Sequence, residues 1–257
     1  MTGTLGDIFA RPIAHRGLHD RALGIIENSR TAFRRAIEQG FAIECDLQLT
    51  RDRMPVVFHD PVLDRLTGAR GRVADIDAGE LTMTPLRGSA DTPMLFSDLL
   101  AMVAGRVPVI VELKRQNRGN LALARAAVGA AKGYEGPLAF KSFEPRLVAG
   151  VKKSGFEGPV GIIVDTGAAD GSGARDTDSL SLARRMALRQ LVHAPASQFD
   201  FVSCEHHALE LPAIALLRRV GKKVMTWTIR SHADAAKALE NADQIVFEGF
   251  VPEPAPN

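Results

Sequence analysis

The sequence of this chain predicts an α/β fold built around a parallel sheet. Short runs rich in Val, Ile and Phe alternate with helix-like stretches along most of its 257 residues, which is typical of βα units. Most neighbouring runs are far enough apart for right-handed crossovers, so they suit either a closed eight-stranded barrel or an open doubly wound sheet. The length fits one barrel, and we expect residues 1–257 to form a single domain.

The predicted strands number nine, one more than a barrel of eight needs. They are PIAH, FAIECDLQL, VVFH, VPVIVEL, PLAF, PVGIIV, FVSC, KVMTWTI and QIVF. Only residues 51–55 separate the second run from the third, whereas a parallel crossover needs about a dozen residues. We therefore expect VVFH to fold back antiparallel on its predecessor. A turn over residues 51–54 would then set His59 opposite Asp46.

The clearest predicted helix is ENSRTAFRRAIEQG, residues 27–40. Asn28 or Ser29 can cap its start, and Gly40 suits the left-handed position just past its end. Further helices are expected from about Ser97 and at 121–132, 144–154, 180–193, 208–220 and 232–240.

Two stretches between these elements differ from the rest. Residues 61–106 contain one good helix and no strong strand, so we interpret them as a small insertion within the single domain. Residues 165–179 are rich in Gly, Asp and Ser and are expected to form a mobile loop.

Charge and hydropathy argue against several classes of protein. The 32 Lys and Arg against 30 Asp and Glu leave a net charge of +2, which gives no field that would favour nucleic acid as a partner. No apolar run approaches the roughly 18 residues that span a bilayer, and the first residues lack a basic start and an apolar signal region. We therefore expect a cytoplasmic protein with no transmembrane segment. Cys45 and Cys204 lie in apolar runs and are expected to be buried thiols.

Polar residues share one face of the second predicted strand. Side chains alternate along IECDLQLT, so Glu44, Asp46 and Gln48 point one way and apolar residues the other. Carboxylates two positions apart lie about 6.6 Å apart along a strand, close enough for both to reach one hard cation. A solvated edge strand would explain the same row.

The fourth predicted strand repeats the pattern, because Ile110, Glu112 and Lys114 share a face in VPVIVELKR. Unpaired buried carboxylates are costly, so two such strands favour a shared polar cavity. His15 and His59, at the ends of two other runs, would add acid–base groups to that cavity.

A set of spaced motifs occurs in one order between about residues 12 and 250. The motifs are HRG, ENS followed by AF, ECD, TRD, PVVFHD, LDRLTG, VELK and TWTI. Together they resemble the glycerophosphodiester phosphodiesterase family of the phospholipase C-like phosphodiesterase superfamily. The resemblance implies a TIM-type (β/α)₈ barrel with a small insertion after the HD element. It also implies a divalent cation and hydrolysis of glycerophosphodiesters to glycerol 3-phosphate and an alcohol.

The same resemblance implies roles for individual residues. The metal ligands would be Glu44, Asp46 and Glu112, and the acid–base pair would be His15 and His59. The substrate and its phosphate would be held by Arg16, Lys114, Trp227 and Glu27, the last beside Asn28 at the rim of the site. Three carboxylates suit Mg²⁺ or Ca²⁺ rather than zinc, for which the sequence offers no Cys/His cluster.

Two positions depart from the family pattern. Arg230 follows the WT strand where the family often has Asn, and Glu248 stands where the last motif often ends on Asp. Both lie in the half of the chain expected to select the alcohol. His206 and His207 are interpreted as solvated loop residues, and Arg184, Arg185 and Arg189 as a solvated helix face.

Three other functions use similar residues. A lysophospholipase D-like enzyme would have the same site with a more apolar mouth, which residues 61–106, including PMLFSDLLAMV, could supply. A non-catalytic protein could bind a phosphorylated metabolite, and a metal-dependent aldolase or isomerase would also use Glu and Asp ligands. The sequence leaves open the cation, the released alcohol, the roles of the two histidines, a direct or cyclic-phosphate route, and the oligomeric state.

Overall fold

Eight parallel strands close into a barrel in the computed structural model, which describes residues 3–116, 121–166 and 197–253. The strands along the chain are β1 (Ile13–Ala14), β2 (Ala42–Leu49), β3 (Pro55–Val57), β4 (Met94–Leu95), β5 (Val109–Leu113), β6 (Leu138–Ser142), β7 (Val160–Val164), β8 (Phe201–Glu205), β9 (Lys223–Ile229) and β10 (Gln244–Phe247). Because β1 pairs in parallel with both β2 and β10, the sheet has no open edge there. The predicted barrel is confirmed and the open doubly wound sheet is excluded.

Helices follow most of the barrel strands. They are α1 (Leu5–Phe9), α2 (Arg30–Glu38), α3 (Ala78–Leu81), α4 (Phe96–Val103), α5 (Ala122–Ala130), α6 (Pro145–Lys153), α7 (Pro212–Arg219) and α8 (His232–Leu239), with 3₁₀ turns at Arg21–Leu23, Val73–Asp75 and His206–Glu210. The helix predicted over 208–220 begins only at Pro212, whose fixed φ suits the first helical position. The helix predicted at 180–193 and most of the loop predicted at 165–179 lie outside the described residues.

Helix α2 begins where the sequence predicts, and Ser29 rather than Asn28 caps it. The Ser29 hydroxyl accepts a hydrogen bond from the Ala32 amide at 3.2 Å. Gly40 has a φ of +73°, as expected just past the helix end. Asn28 is therefore available for another role.

The β2–β3 hairpin is antiparallel, as predicted, but its register differs by one residue from the prediction. Leu47 faces Val57, and the Phe58 amide donates to the Asp46 carbonyl at 3.0 Å. Phe58 therefore lies opposite Asp46, and the prediction that His59 does so is wrong.

The turn explains the difference in register. Arg53 adopts a left-handed conformation with a φ of +63°, and the Thr50 amide donates to the Met54 carbonyl at 3.1 Å. The loop is thus residues 51–53, the three-residue hairpin connection that ends in a left-handed residue. Glycine usually marks such a position, and an arginine there gives no signal in the sequence.

Apolar side chains close the end of the barrel at which the parallel strands begin. Ile110, Phe201 and Met225 point inward and form one buried cluster with Ile8 and Phe9 of α1. The Phe9 and Phe201 rings meet edge to face with centroids 5.7 Å apart. Apart from Gln244, whose Nε2 donates to the Phe9 carbonyl, the floor is therefore apolar, and the charged cavity lies toward the carboxyl ends of the strands, where active sites of such barrels lie.

The segment between β3 and β5 contributes to two apolar clusters. Leu63, Leu81 and Leu86 pack with Val56 and Phe58 in a small cluster of their own. Helix α4, in contrast, packs its inner face in the main layer between barrel and helices. The division of residues 1–257 into one domain with 61–106 as an insertion stays a prediction.

Both cysteines are buried free thiols, as expected. Burial raises the pKa of Cys45 well above its usual range and that of Cys204 to about 12, so both stay protonated. Among the described residues no helix is long and apolar enough to cross a bilayer.

Two glycines test the packing of the barrel interior. A Cβ on Gly161 would lie 2.3 Å from the buried Phe201 ring, whereas a Cβ on Gly129 of α5 would meet nothing within 4 Å. We expect Gly161→Ala to lower the free energy of unfolding by about 1–3 kcal/mol through overpacking. Gly129→Ala should raise it by up to about 1 kcal/mol through helix propensity. Urea unfolding of both variants measures this, and equal effects would contradict the close packing at Gly161.

Candidate active site

Three carboxylates from two neighbouring strands converge at the carboxyl end of the barrel. Asp46 of β2 lies beside Glu112 of β5 in the parallel register, and Glu44 precedes Asp46 on the same face. Each offers a carboxylate oxygen within 4.8 Å of the others, and all three side chains are buried. Strand β2 is paired along its length, and its apolar residues pack in the outer core. A solvated edge strand is therefore excluded, and a shared polar cavity is present.

Two buried lysines and the partly exposed Arg16 balance these carboxylates. The Lys114 Nζ lies 2.6 Å from Glu112 Oε1 and 3.4 Å from Asp46 Oδ1. The Lys141 Nζ lies 3.1 Å from Glu44 Oε1, and the Arg16 Nε lies 3.5 Å from Asp46 Oδ2. Like charges this close are tolerated in a buried site only when opposite charges accompany them.

A sharp turn after β1 aims Arg16 into the cavity. Arg16 and Gly17 both have positive φ, +54° and +79°. A Cβ on Gly17 would lie 2.9 Å from the Phe33 ring, so only glycine lets α2 approach this closely. The Arg16 amide thereby donates to Glu44 Oε2 at 3.1 Å. Strained non-glycine backbone of this kind is typical of functional sites.

Asn28 holds the aspartate of this cluster. Its Nδ2 donates to Asp46 Oδ2 at 2.8 Å, and its own amide donates to the Arg16 carbonyl at 2.8 Å. Burial alone would raise the pKa of Asp46, but the charges of Lys114, His59 and Arg16, together with this hydrogen bond, hold it well below its usual range. Asp46 is therefore a firmly ionised carboxylate, and Asn28 belongs to the site rather than to the cap of α2.

His15 and His59 each place Nδ1 against a carboxylate. His15 Nδ1 lies 2.6 Å from Glu248 Oε2, and His59 Nδ1 lies 2.7 Å from Asp60 Oδ1. Ionised carboxylates at these positions make Nδ1 the proton-bearing nitrogen and leave each Nε2 for other contacts. The two histidines are thus built in the same way on opposite sides of the cluster.

An arginine backs each of these carboxylates. Arg230 donates from Nε to Glu248 Oε1 at 2.9 Å, and Arg65 donates from Nε to Asp60 Oδ2 at 2.5 Å. Burial would raise the pKa of Glu248, but its hydrogen bond to His15, the nearby His19 ring, whose Nε2 lies 3.8 Å from Oε2, and the charge of Arg230 hold it well below the usual range. Arg230 and Glu248, the two residues that depart from the family pattern, therefore form an ion pair with each other.

Glu27 lies at the rim, as predicted, between two arginines. Its Oε1 accepts from Arg16 Nη1 at 2.6 Å, and both of its oxygens accept from Arg65. Burial raises the pKa of Glu27, but hydrogen bonds from Arg65 and the charges of Arg16 and Arg65 outweigh that effect and bring it to about 2. An anion at this place would repel a phosphate, so a contact of Glu27 with substrate would be to a hydroxyl group.

Trp227 lies in β9 on the inner face of the barrel. Its ring meets Phe143 edge to face with centroids 5.9 Å apart, and its lower edge packs on the apolar floor. Within the described part of the chain its buried Nε1 has no hydrogen-bond partner. Contact of Trp227 with substrate stays a prediction.

Sequence reasoning missed several charged residues of this cavity. Lys141 ends the run PLAFK, and Glu205 ends the run FVSCE. A charged residue directly after an apolar strand is the signal that pointed to Lys114, and it could have found these two residues as well. Asp60 stands directly after the histidine of the HD motif. Arg65 had no such signal, because it lies in a segment without strand or helix periodicity. His206 and His207 stack with ring centroids 3.9 Å apart in a 3₁₀ turn, and the arginines at 184, 185 and 189 lie outside the described residues.

Comparison with known proteins decides what kind of site this is. A model of the glycerophosphoryl diester phosphodiesterase family matches residues 15–245. The chain belongs to this family.

Individual members of the family are similar to the chain over different lengths. A glycerophosphodiester phosphodiesterase of Caldanaerobacter subterraneus is 30% identical over 146 residues, 56% of this chain and 54% of that protein. Glycerophosphodiester phosphodiesterase 1 of Bos taurus is 44% identical over 66 residues, 25% of this chain and 19% of that protein. The chain thus matches about half of the first relative and a fifth of the second.

Solved structures of the family share the fold. A phosphodiesterase of Oleispira antarctica, solved with the product sn-glycerol 3-phosphate, superposes with a TM-score of 0.74 at 21% identity. The match covers 92% of this chain and 91% of that protein. The TIM-type barrel with extra strands is therefore the fold of the family as well as of this chain.

The carboxylates of this family member fit an oxygen-preferring divalent cation. Glu44 Oε1 accepts no hydrogen bond in the described part of the chain, although Lys141 Nζ lies 3.1 Å away. A buried carboxylate oxygen in that state is suited to ligate a metal ion. Among the described residues no cysteine or histidine belongs to the cluster, which suits Mg²⁺ or Ca²⁺ better than zinc.

Metal binding can be measured without turnover. We expect Mg²⁺ or Ca²⁺ to raise the Tm of the native protein, by an amount that corresponds to about 2.7 kcal/mol when the free cation is 100-fold above its Kd. Asp46→Asn keeps the size of the side chain and should abolish most of this shift. An equal shift in the variant would argue against the carboxylate cluster as the site of binding.

Acid should weaken the Glu27 network. The folded pKa of Glu27 is about 2 against an ordinary 4.5, so its stabilisation is present above about pH 4.5 and is lost as pH falls toward 2. We expect Glu27→Gln to lower the free energy of unfolding by about 2–3 kcal/mol at pH 7, and less at each step from pH 5 to pH 3. Urea unfolding across this range measures it. Gly129→Ala, which changes no charge, is the control, and a Glu27→Gln effect as constant with pH as the control's would contradict the assignment.

Proposed function

We propose that the protein hydrolyses glycerophosphodiesters to glycerol 3-phosphate and an alcohol, as a metal-dependent phosphoric diester hydrolase. The observation that carries the proposal is the joint presence, in a member of this family, of a carboxylate cluster and two carboxylate-backed histidines at one barrel mouth. The Oleispira antarctica neighbour was solved with sn-glycerol 3-phosphate as its product, and we propose the same class of product here.

Glu44, Asp46 and Glu112 are proposed to hold one divalent cation, Mg²⁺ or Ca²⁺. When bound, such a cation supplies positive charge that polarises and neutralises the phosphodiester oxygens. The chain's contribution is a preformed set of ionised oxygens. Asn28 fixes the Asp46 carboxylate, and the Arg16 amide fixes Glu44, so the ligands need little rearrangement.

Arg16 and Lys114 are proposed to bind the phosphate. Lys114 is buried and Arg16 is partly buried, and both contact the carboxylate cluster, so an anionic oxygen placed beside the cluster lies within their reach. Partial burial strengthens such contacts because water screens them less. Glu27 then orients Arg16 from the rim, and Trp227 is proposed to contact the glycerol part of the substrate with its ring face.

His15 and His59 are proposed to carry out the proton transfers. Each ring is oriented by a carboxylate on Nδ1, so each Nε2 can take or deliver a proton. One histidine removes a proton from the attacking hydroxyl group or water, and the other protonates the leaving alkoxide. The same pair serves direct hydrolysis and a route in which the substrate's own glycerol hydroxyl forms a cyclic phosphate first.

The lysophospholipase D-like alternative requires an apolar surface in the segment 61–106. The large side chains Met94, Phe96 and Leu99 of PMLFSDLLAMV are buried in the core, whereas Val62 and Met83 are exposed. The argument for this alternative therefore rests on Val62 and Met83 rather than on PMLFSDLLAMV. The cytoplasmic location stays a prediction.

The decisive experiment follows glycerol 3-phosphate release from glycerophosphocholine. We expect activity that EDTA abolishes and Mg²⁺ or Ca²⁺ restores, and a loss of at least about 10²-fold in kcat/KM for His15→Ala. His232→Ala, an exposed histidine on α8, is the matched control and should keep native activity. A transient cyclic phosphate signal by ³¹P NMR would identify the two-step route.

The same assay separates the alternatives. Turnover of lysophosphatidylcholine without turnover of the soluble diester would favour the lysophospholipase D-like enzyme. Inactivity on both substrates, with the cation-dependent rise in Tm intact, would favour a non-catalytic binding protein.

A further inference from the structure

Arg65 lies between two carboxylates that come from different parts of the chain. Its Nη1 donates to Glu27 Oε2 at 2.7 Å and its Nη2 to Glu27 Oε1 at 2.8 Å. Its Nε donates to Asp60 Oδ2 at 2.5 Å and its Nη2 also to Asp60 Oδ1 at 2.9 Å. Four of the five guanidinium N–H groups are thereby used, and both carboxylates are held by two hydrogen bonds.

Each of these carboxylates holds one of the groups proposed to act on the substrate. Glu27 accepts from Arg16 Nη1 at 2.6 Å, and Asp60 contacts His59 Nδ1 at 2.7 Å. Glu27 therefore links Arg65 to Arg16, the arginine proposed to bind the phosphate. Asp60 links Arg65 in the same way to His59, one of the two histidines proposed to be catalytic. No other described residue joins these two groups through hydrogen-bonded side chains in this way.

The charges of this network support one another. Burial would raise the pKa of Asp60, but hydrogen bonds from His59 and Arg65 hold it below its usual range. For Glu27 the hydrogen bonds from Arg65 and the charges of Arg16 and Arg65 have the same effect. The hydrogen bonds to Glu27 and Asp60 in turn raise the pKa of Arg65. Both carboxylates are thus ionised acceptors, which fixes the direction in which Arg16 and His59 donate.

One apolar cluster anchors the backbone on all sides of Arg65. Ile26 precedes Glu27, Phe58 precedes His59, and Leu66 follows Arg65, and all three pack in the small cluster between β3 and β5. The Arg65 side chain itself is 41% exposed at the rim. The apolar cluster therefore fixes the backbone next to Glu27, His59 and Arg65. The Arg65 guanidinium links the two carboxylates at the rim of the pocket.

We infer that Arg65 is a positioning residue, which fixes Arg16 and His59 relative to each other through Glu27 and Asp60. The inference rests on the proposed function, because it assigns Arg65 a part in that reaction. Arg65 does not bind the phosphate itself, since its N–H groups are engaged by the two carboxylates. The segment 61–106 thus contributes to catalysis through a residue that touches no substrate.

Kinetics of Arg65 variants with metal present test this inference. We expect Arg65→Ala to lower kcat/KM about 30- to 100-fold, with a fall in kcat from the loss of His59 orientation and a rise in KM from the loss of Arg16 orientation. Arg65→Lys should recover only part of the loss, because one ammonium group cannot hold two carboxylates bidentately. Asp60→Asn should mainly lower kcat, and Glu27→Gln should mainly raise KM.

Arg51→Ala is the matched control. Arg51 also pairs with a carboxylate, Asp77, at 2.5 Å, but on the exposed side of the hairpin and away from the cavity. We expect native kinetics and a similar small change in Tm for this variant. An Arg65→Ala effect no larger than that of Arg51→Ala would overturn the inference, and so would a change in KM alone. If Arg65→Ala does not fold, Arg65→Gln and Arg65→Lys carry the comparison.

A spectroscopic measurement separates this inference from the proposed function. The ring proton of His59 that is shared with Asp60 should give a slowly exchanging NMR signal, assigned through its absence in His59→Gln. We expect Arg65→Ala to broaden or shift this signal and Arg51→Ala to leave it unchanged. If the native protein is inactive on every diester but the signal depends on Arg65, the proposed function fails and the positioning stands. A signal that does not change in Arg65→Ala would overturn the positioning whatever the activity.

Discussion

The compensation of three buried carboxylates by two buried lysines and the partly buried Arg16 organises this end of the barrel. Glu44, Asp46 and Glu112 offer oxygens within 4.8 Å of one another, and carboxylates buried this close together are costly unless opposite charge accompanies them. Lys114 and Lys141 supply it from β5 and from the next strand, β6, and Arg16 supplies it from the turn after β1. The alternation of side chains along each strand, the parallel register of β2 and β5, and the strained turn at Arg16 all serve to bring these six charges together. None of these three features is unusual alone, but the charges balance only when all three are present together.

A second layer of charges surrounds the first and repeats one arrangement. Each proposed catalytic histidine contacts a carboxylate, and each of those carboxylates contacts an arginine: His15, Glu248 and Arg230 on one side, and His59, Asp60 and Arg65 on the other. Chains of hydrogen-bonded ions are stronger than isolated surface pairs because burial reduces screening and each member restricts the next. The arginines at the rim thus restrict the carboxylates, and the carboxylates restrict the two histidines.

The sequence predicted which side chains share a face of a strand, because that depends on periodicity. It did not predict the register of the hairpin, because that depends on the backbone angle of one residue. Alternation in IECDLQLT and VPVIVELKR correctly placed Glu44, Asp46, Glu112 and Lys114 on one cavity, because a strand allows only two faces. The hairpin register was wrong by one residue because Arg53 adopts a left-handed conformation that its side chain does not announce. Arg65 was missed because tertiary packing of a segment without regular structure brings it to its two partners, Glu27 and Asp60.

Helix α1 adds a consequence for the passage of molecules through the site. Its Ile8 and Phe9 seal the barrel floor together with Phe201, so the charged cavity has no exit through the amino end of the barrel. Any molecule that reaches the carboxylates arrives through the mouth and must leave by the same opening. In the proposed reaction, a product that still occupies the phosphate position stands in the path of the next substrate. The apolar plug then sets the order of events as much as the charges above it, because the proposed anionic product has to depart before another diester can enter.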